Sequence, residues 1–123
     1  MTLPRRTAAA ALAPLLLLMA GCGIKKHGEA SYYGPGFAGR PTASGETFNP
    51  QAFTAAHKSL PFGTLVRVHN EETGRTVIVR INDRFPGTKG RIIDLSQASF
   101  EAIAPTSQGV APVRLEILEK PGD

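Results

Sequence analysis

Thr64–Asn82 reads TLVRVHNEETGRTVIVRIN, two alternating runs separated by a turn. In Thr64–Asn70, Val66 and Val68 share one face, and Leu65, Arg67 and His69 share the other. In Arg75–Asn82, Val77, Val79 and Ile81 oppose Ile78, Arg80 and Asn82. An apolar/polar period of two marks a half-buried strand, and β-branched residues favour that pleated surface. Glu71-Glu72-Thr73-Gly74 is a short connection with Gly at its end, so the two runs predict a β-hairpin.

Further strand signals lie on both sides. Arg91–Leu95 (RIIDL) is a short apolar run, and Val113, Leu115 and Ile117 alternate with Arg114, Glu116 and Leu118. Glu29–Tyr33 and Ala52–Ala56 carry weaker signals. One helix is expected over Gln97–Ala104, with Ser96 as N-cap, Leu95 and Phe100 at the staple positions, and Pro105 as the stop. Thirteen Gly and ten Pro in 123 residues favour turns over long helices and exclude a coiled coil or helical bundle. A mainly β fold follows, a small barrel with one short helix, and the length leaves room for one domain.

Residues 1–21 read as an address. Arg5 and Arg6 form a positive n-region, and Ala8–Ala20 is an apolar run broken only by Pro14. A membrane span needs about 20 apolar residues, so this run suits a signal-peptide h-region. It ends in Leu18-Met19-Ala20-Gly21-Cys22, which resembles a bacterial lipobox with Met19 where Leu is more usual. The resemblance implies acylation of Cys22 and membrane attachment, with residues 22–27 as tether, 28–118 as the folded domain and 119–123 as a tail. Gly23 after the Cys leans towards the outer membrane. A single Cys excludes an intrachain disulfide framework and a Cys-rich zinc site. With Arg5 and Arg6 set aside, 12 basic residues face 10 acidic ones with no Lys/Arg stripe, so no nucleic-acid partner is expected.

The candidate chemistry sits at loop and strand ends. Gly34–Pro50 (GPGFAGRPTASGETFNP) has loop composition and is too long for an idle connection. Glu46 is its one carboxylate; a solvated loop Glu is the plainer reading. His57 ends a small-residue strand before the apolar turn Leu60-Pro61-Phe62-Gly63, as a catalytic or a structural His. Asp83 shares the parity of Val77, Val79 and Ile81, so an undisturbed strand would carry its carboxylate onto the buried face. Burial would raise its pKa, while Arg80 or Arg84 would lower it; the alternative is a turn Asp paired with Arg. Asp94 precedes the helix and is placed to bond its N–H groups. There is no phosphate loop, nucleophile elbow or metal motif, and no cofactor is expected.

At these residues a resemblance becomes specific. Gly28-Glu29-Ala30-Ser31-Tyr32-Tyr33-Gly34, Thr42–Phe48 (TASGETF), Thr54–Thr64 (TAAHKSLPFGT), Val79–Arg84 (VRINDR) and Arg91–Ser96 (RIIDLS) are similar, in order and spacing, to the rare lipoprotein A (RlpA) family. The resemblance implies a six-stranded double-psi β-barrel and an envelope lipoprotein that cuts peptidoglycan glycan strands as a lytic transglycosylase, facing the periplasm as a monomer. By motif position it implies Asp83 as general acid/base, Glu46 as a second charge and His57 as a hydrogen-bond partner. Tyr32 and Tyr33 would stack on sugars, and Arg84 and Asp94 would contact substrate.

Two departures stand out. Where the family commonly has Gly-Pro-Phe, this chain has Phe85-Pro86-Gly87. A septum-binding SPOR module common in relatives is not expected after Leu118. The competing reading is a non-catalytic, expansin-like wall-binding module.

Overall fold

The computed structural model describes residues 24–122, and the signal-peptide and lipidation readings lie outside them. Six strands form a closed barrel: β1 (His27–Tyr32), β2 (Thr54–Ala56), β3 (Leu65–Asn70), β4 (Thr76–Asp83), β5 (Arg91–Leu95) and β6 (Ala111–Glu119). Around the barrel they run β1-β5-β2-β4-β3-β6, and β6 closes back onto β1. The pairs β1–β5 and β2–β4 are parallel, and the others are antiparallel. Closure removes the exposed edges that a six-stranded open sheet would leave for aggregation.

The expected hairpin is β3–β4, with Val66 opposite Val79 and Val68 opposite Val77. All four are buried, joined inside by Ala55, Ile81, Ile93, Leu95, Val113 and Leu115. Asn70 ends β3 in the interior, where its Nδ2 donates to the Ile103 carbonyl at 2.7 Å and its Oδ1 accepts from Glu72 N–H at 2.8 Å. A buried amide so satisfied fixes the turn without an unpaired polar group.

The helix α1 spans Gln97–Glu101, three residues shorter than expected. Ser96 caps it through Oγ, which accepts from Ser99 N–H at 3.2 Å. The chain then turns, yet Phe100, Ile103 and Ala104 are all buried as an apolar face requires. Asp94 does not cap this helix. Its place on β5 turns its side chain across the sheet, and the Ser96 hydroxyl takes the capping role.

One irregularity governs the site. Across β2 and β4, Ala55 pairs with Ile81 and Ala56 with Asp83, so Asn82 is an extra residue on β4. Ile81 and Asn82 are consequently both buried, and Asp83 is only half-buried. The strand does not run on undisturbed: the bulge puts Asn82 where parity would have buried Asp83, and re-aims the carboxylate.

Candidate active site

Four residues on four adjacent strands share one level. Ser31 on β1 pairs with Asp94 on β5, Asp94 pairs with Ala56 on β2, and Ala56 pairs with Asp83 on β4. Paired residues point to the same side of a sheet, so this row faces away from the interior that holds Ala55, Ile81 and Leu95. The methyl group of Ala56 leaves room between the two carboxylates.

The segment 34–50 folds over this row. A short 3-10 turn, Pro35–Phe37, opens it, and a bridge between Pro41 and Thr47 folds it back on itself. Phe48 anchors it, buried and stacked on Tyr33 with ring centroids 4.4 Å apart. The long loop is therefore ordered, and it delivers donors to Asp83. Ala43 N–H and Arg84 N–H reach its Oδ1 at 2.9 and 2.8 Å, and Tyr33 Oη donates to its Oδ2 at 2.8 Å. Burial and the Asp83 carboxylate push the Tyr33 phenol well above its ordinary range, so it remains a donor. Neither Arg80 nor Arg84 makes a side-chain bond to the Asp83 carboxylate among the contacts of the described residues.

Asp94 lies on the other side of Ala56 and is also half-buried. Its Oδ1 accepts from Ser31 Oγ at 2.6 Å and lies 3.6 Å from Arg91 Nη2. Burial pushes its carboxyl above the usual carboxylate range, and the Asp83 charge adds to the rise; Ser31 and Arg91 pull the other way. The neighbouring Asp83 charge disfavours the ionised form of Asp94.

A groove of about 310 Å³ lies over both carboxylates, walled by Tyr33, Phe37, Arg40, Arg84 and Phe85. The other sequence-predicted residues do not line it. Glu46 forms an ion pair with Arg80 and accepts from Asn82 Nδ2 at 3.3 Å, and the Arg80 bond holds its carboxyl below the usual range. Its charge is matched, and its effect is to pin the 34–50 loop to β4. His57 is buried, and its Nδ1 accepts from Ser59 N–H and Leu60 N–H, both at 3.0 Å. The neutral ring therefore carries its proton on Nε2. Burial, then Arg84, lowers its pKa. His57 meets Asp83 through the backbone, its N–H donating to the Asp83 carbonyl at 3.1 Å. Arg84 lies over the Phe62 ring, 4.2 Å from the centroid. Tyr32, one residue from Tyr33, points to the opposite side, packs on Phe100 and donates to the Thr106 carbonyl at 3.0 Å.

Sequence reasoning missed Ser31, Phe37 and Arg40. Ser31 had a signal: it is two residues from Tyr33, which follows β1 directly, and so shares its alternation. Phe37 and Arg40 had none, because position in an irregular loop carries no period.

The fold and the site together define a double-psi β-barrel with a paired-carboxylate groove on its outer face. The family model described as lytic transglycolase matches residues 25–115, and the chain belongs to that family. It is 62% identical over 93 residues to the probable endolytic peptidoglycan transglycosylase RlpA of Nostoc sp., a match over 74% of this chain and 25% of that one. It is 52% identical over 91 residues to the endolytic peptidoglycan transglycosylase RlpA of Campylobacter jejuni, covering 74% and 33%. The chain thus spans about a quarter to a third of the length of these curated relatives. Among solved structures, a mutant Clavibacter michiganensis expansin in complex with cellohexaose superposes with a TM-score of 0.62 at 22% identity, over 80% of this chain and 52% of that one. A Streptomyces papain inhibitor superposes with a TM-score of 0.62 at 25% identity, over 79% of this chain and 100% of that one.

Proposed function

We propose that the groove binds peptidoglycan glycan strands and cleaves the β-1,4 bond between N-acetylmuramic acid and N-acetylglucosamine by lytic transglycosylation. The observation that carries this reading is the row Ser31–Asp94–Ala56–Asp83, which gives one groove a carboxyl that burial pushes towards its neutral form and a second, firmly oriented carboxylate. The names of the curated relatives supply the substrate class.

The chemistry divides between two side chains the tasks that motif position alone assigns to Asp83. Asp94 gives its proton to the glycosidic oxygen as the C1–O4 bond breaks, and the bonding electrons leave with O4. The muramyl C1 takes on oxocarbenium character beside the Asp83 carboxylate. Asp83 then accepts the proton of the sugar's own C6 hydroxyl as O6 bonds to C1, closing the 1,6-anhydro ring. No water is consumed. Passing the proton from Asp83 back to Asp94 restores the starting state. A hydrolase with two carboxyl groups would instead activate water or form a glycosyl-enzyme. Tyr33 acts through Asp83 by fixing its orientation, and Glu46 and His57 are positioning residues for the loop and the strand end.

The N-terminal h-region and Cys22 support a place in the bacterial envelope, lipid-anchored and facing the periplasm, on the outer membrane. The test of the reaction is incubation of the purified protein with sacculi, followed by mass spectrometry of soluble fragments. Anhydro-muropeptides are expected. Binding to sacculi without released fragments would select the expansin-like, non-catalytic reading instead.

A further inference from the structure

A second cavity, about 240 Å³, is lined by Lys25, Lys58, Lys89 and Arg91 together with Ser59 and Thr88, and by no carboxylate residue. All three lysines are exposed, and none is ion-paired among the described residues. Glu29, the cross-strand partner of Arg91, and Asp94, 3.6 Å from its Nη2, border the group at Arg91 and leave the lysine charges unmatched. Concentrated cations repel one another, and a facing layer of negative charge relieves that repulsion. The lysines also sit on a set backbone. Lys89 has a φ of 26°, the one positive value for a non-glycine residue among the described residues. Such a conformation costs energy in a Lys, and close packing supports it: a Cβ on Gly28 would meet the Gly90 carbonyl oxygen at 2.6 Å.

Strand direction separates this cavity from the groove. β1 and β5 run parallel, with Glu29 opposite Arg91 and Tyr32 opposite Leu95. The cavity sits where the two strands begin, at Lys25 and Arg91, and the groove where they finish, at Tyr33 and Asp94. On β5 alone, the step from Arg91 to Asp94 is about 10 Å. The other boundary is set by the chain. Cys22, the residue read as acylated, precedes Lys25 by three positions. An extended chain spans at most about 3.5 Å per residue, so Lys25 stays within about 10 Å of the residue held at the bilayer. That distance is close to the Debye length at physiological salt, about 8 Å, over which a charged surface acts.

We propose that this cavity docks on anionic phospholipid headgroups of the membrane that holds Cys22, setting the barrel upright with the carboxylate groove turned away from the bilayer. The inference rests on the lipid-anchor reading above. Acyl chains hold a protein at the surface but leave its domain free to rotate; headgroup phosphates on the lysines remove that freedom. A lipid surface fits better than a dissolved anion, because the short tether carries the lysines to the headgroups.

The test places the acylated protein in vesicles of phosphatidylcholine with or without phosphatidylglycerol, each carrying a brominated lipid as quencher. The chain has no Trp, so Thr88→Trp reports on the cavity and Phe37→Trp on the groove. Thr88→Trp emission should be quenched only where phosphatidylglycerol is present. Salt at about 1 M, where the Debye length is about 3 Å, should release it. Adding Lys58→Gln and Lys89→Asn should abolish the quenching, since each cation at an anionic surface is worth about fivefold in affinity and two together roughly thirtyfold. Asn is chosen because it tolerates the Lys89 backbone. Phe37→Trp should stay bright throughout. Equal quenching of Thr88→Trp in both vesicles, its persistence after the lysine changes, or quenching of Phe37→Trp would overturn the proposal. So would restoration of Thr88→Trp emission by added glycan strands, which would give the cavity to the substrate. Palmitate labelling and vesicle flotation separate the two readings. A chain that is unlabelled and floats with neither vesicle removes the anchor and the docking with it. A labelled chain that floats with both, without lipid-dependent quenching, removes the docking alone.

Discussion

Asp83 and Asp94 flank Ala56 on either side, each its direct partner across one strand boundary. Their backbones are thus two strand spacings apart, about 10 Å, and their side chains reach into the same groove. Neither is adjacent to the other in sequence, and β5 reaches β2 only through the crossed order of the barrel. The fold makes this pair.

Asp83→Asn should reduce release of anhydro-muropeptides by roughly 10²–10⁴-fold, the usual contribution of a general acid or base. The Asn oxygen still accepts from Ala43 and Arg84 N–H, and the Tyr33 hydroxyl can turn to accept from the amide. The melting temperature should therefore change little. Unchanged turnover in a folded Asp83→Asn protein would remove Asp83 from the reaction.

Asp94 should show the opposite balance of stability and activity. Its folded pKa is raised, so between the ordinary Asp range and that raised value the native state binds more protons than the unfolded one. Stability from this group is present at low pH and lost as pH rises through the folded pKa. Asp94→Asn keeps an acceptor for Ser31 without the buried charge. It should melt higher than wild type at pH 7, with the gap closing towards acid, while cleavage collapses. A variant no more stable at pH 7 than wild type, over a full pH series, would show that burial does not penalise this carboxylate.

Much of this was legible in the sequence, for a physical reason. The β3–β4 hairpin, the terminal strand and the Ser96 cap are local: period-two alternation and a capping hydroxyl need no distant partner. The bulge at Asn82 was not legible, because it arises from the parallel register of β2 against β4, which no local pattern encodes. Its consequence was an Asp83 placed by parity on the wrong face. Asp94 was misassigned as a helix cap for a related reason, since two residues from an N-terminus looks like a cap until Ser31 is seen across the sheet. Glu46 is half-exposed, as a loop carboxylate should be, and only the fold reveals Arg80 as its partner.

His57 gives a stability signature of the other sign. Burial depresses its pKa, so the unfolded state takes up protons first as pH falls through the ordinary His range. Its stabilising contribution is present above that range and lost below it. Protonation also removes the Nδ1 lone pair that accepts from Ser59 and Leu60. His57→Asn, whose side-chain oxygen replaces that acceptor, should lose less melting temperature than wild type between pH 7 and pH 5. Parallel slopes for the two proteins would rule out this linkage.

Cys22→Ala tests the anchor. Wild type expressed in a lipoprotein-processing host should incorporate labelled palmitate and fractionate with membranes, and the variant should do neither. A variant that remains labelled would place acylation elsewhere.

Phe85 walls the groove beside Asp83 and Asp94, and two outcomes compete there. Its side chain is half-buried, walls the groove and lies beside the Arg91 guanidinium. Deleting a fully buried Phe costs about 3–5 kcal/mol; a half-exposed one with a single cation–π neighbour should cost nearer 1–2 kcal/mol. In a domain of this size, that is a fall of several degrees in melting temperature, at roughly 4–8 °C per kcal/mol. Phe85→Gly should therefore remain folded at 37 °C. With the ring gone, the groove widens next to Asp83 and Asp94, so turnover on glycan strands should rise rather than fall. The positive φ values of this loop fall at Gly87, Lys89 and Gly90, so a glycine at position 85 is not required by the backbone. Turnover and melting temperature of the one variant decide the matter: a large loss of stability without a gain in turnover would make Phe85 a packing residue of the barrel rim and not a constriction of the groove.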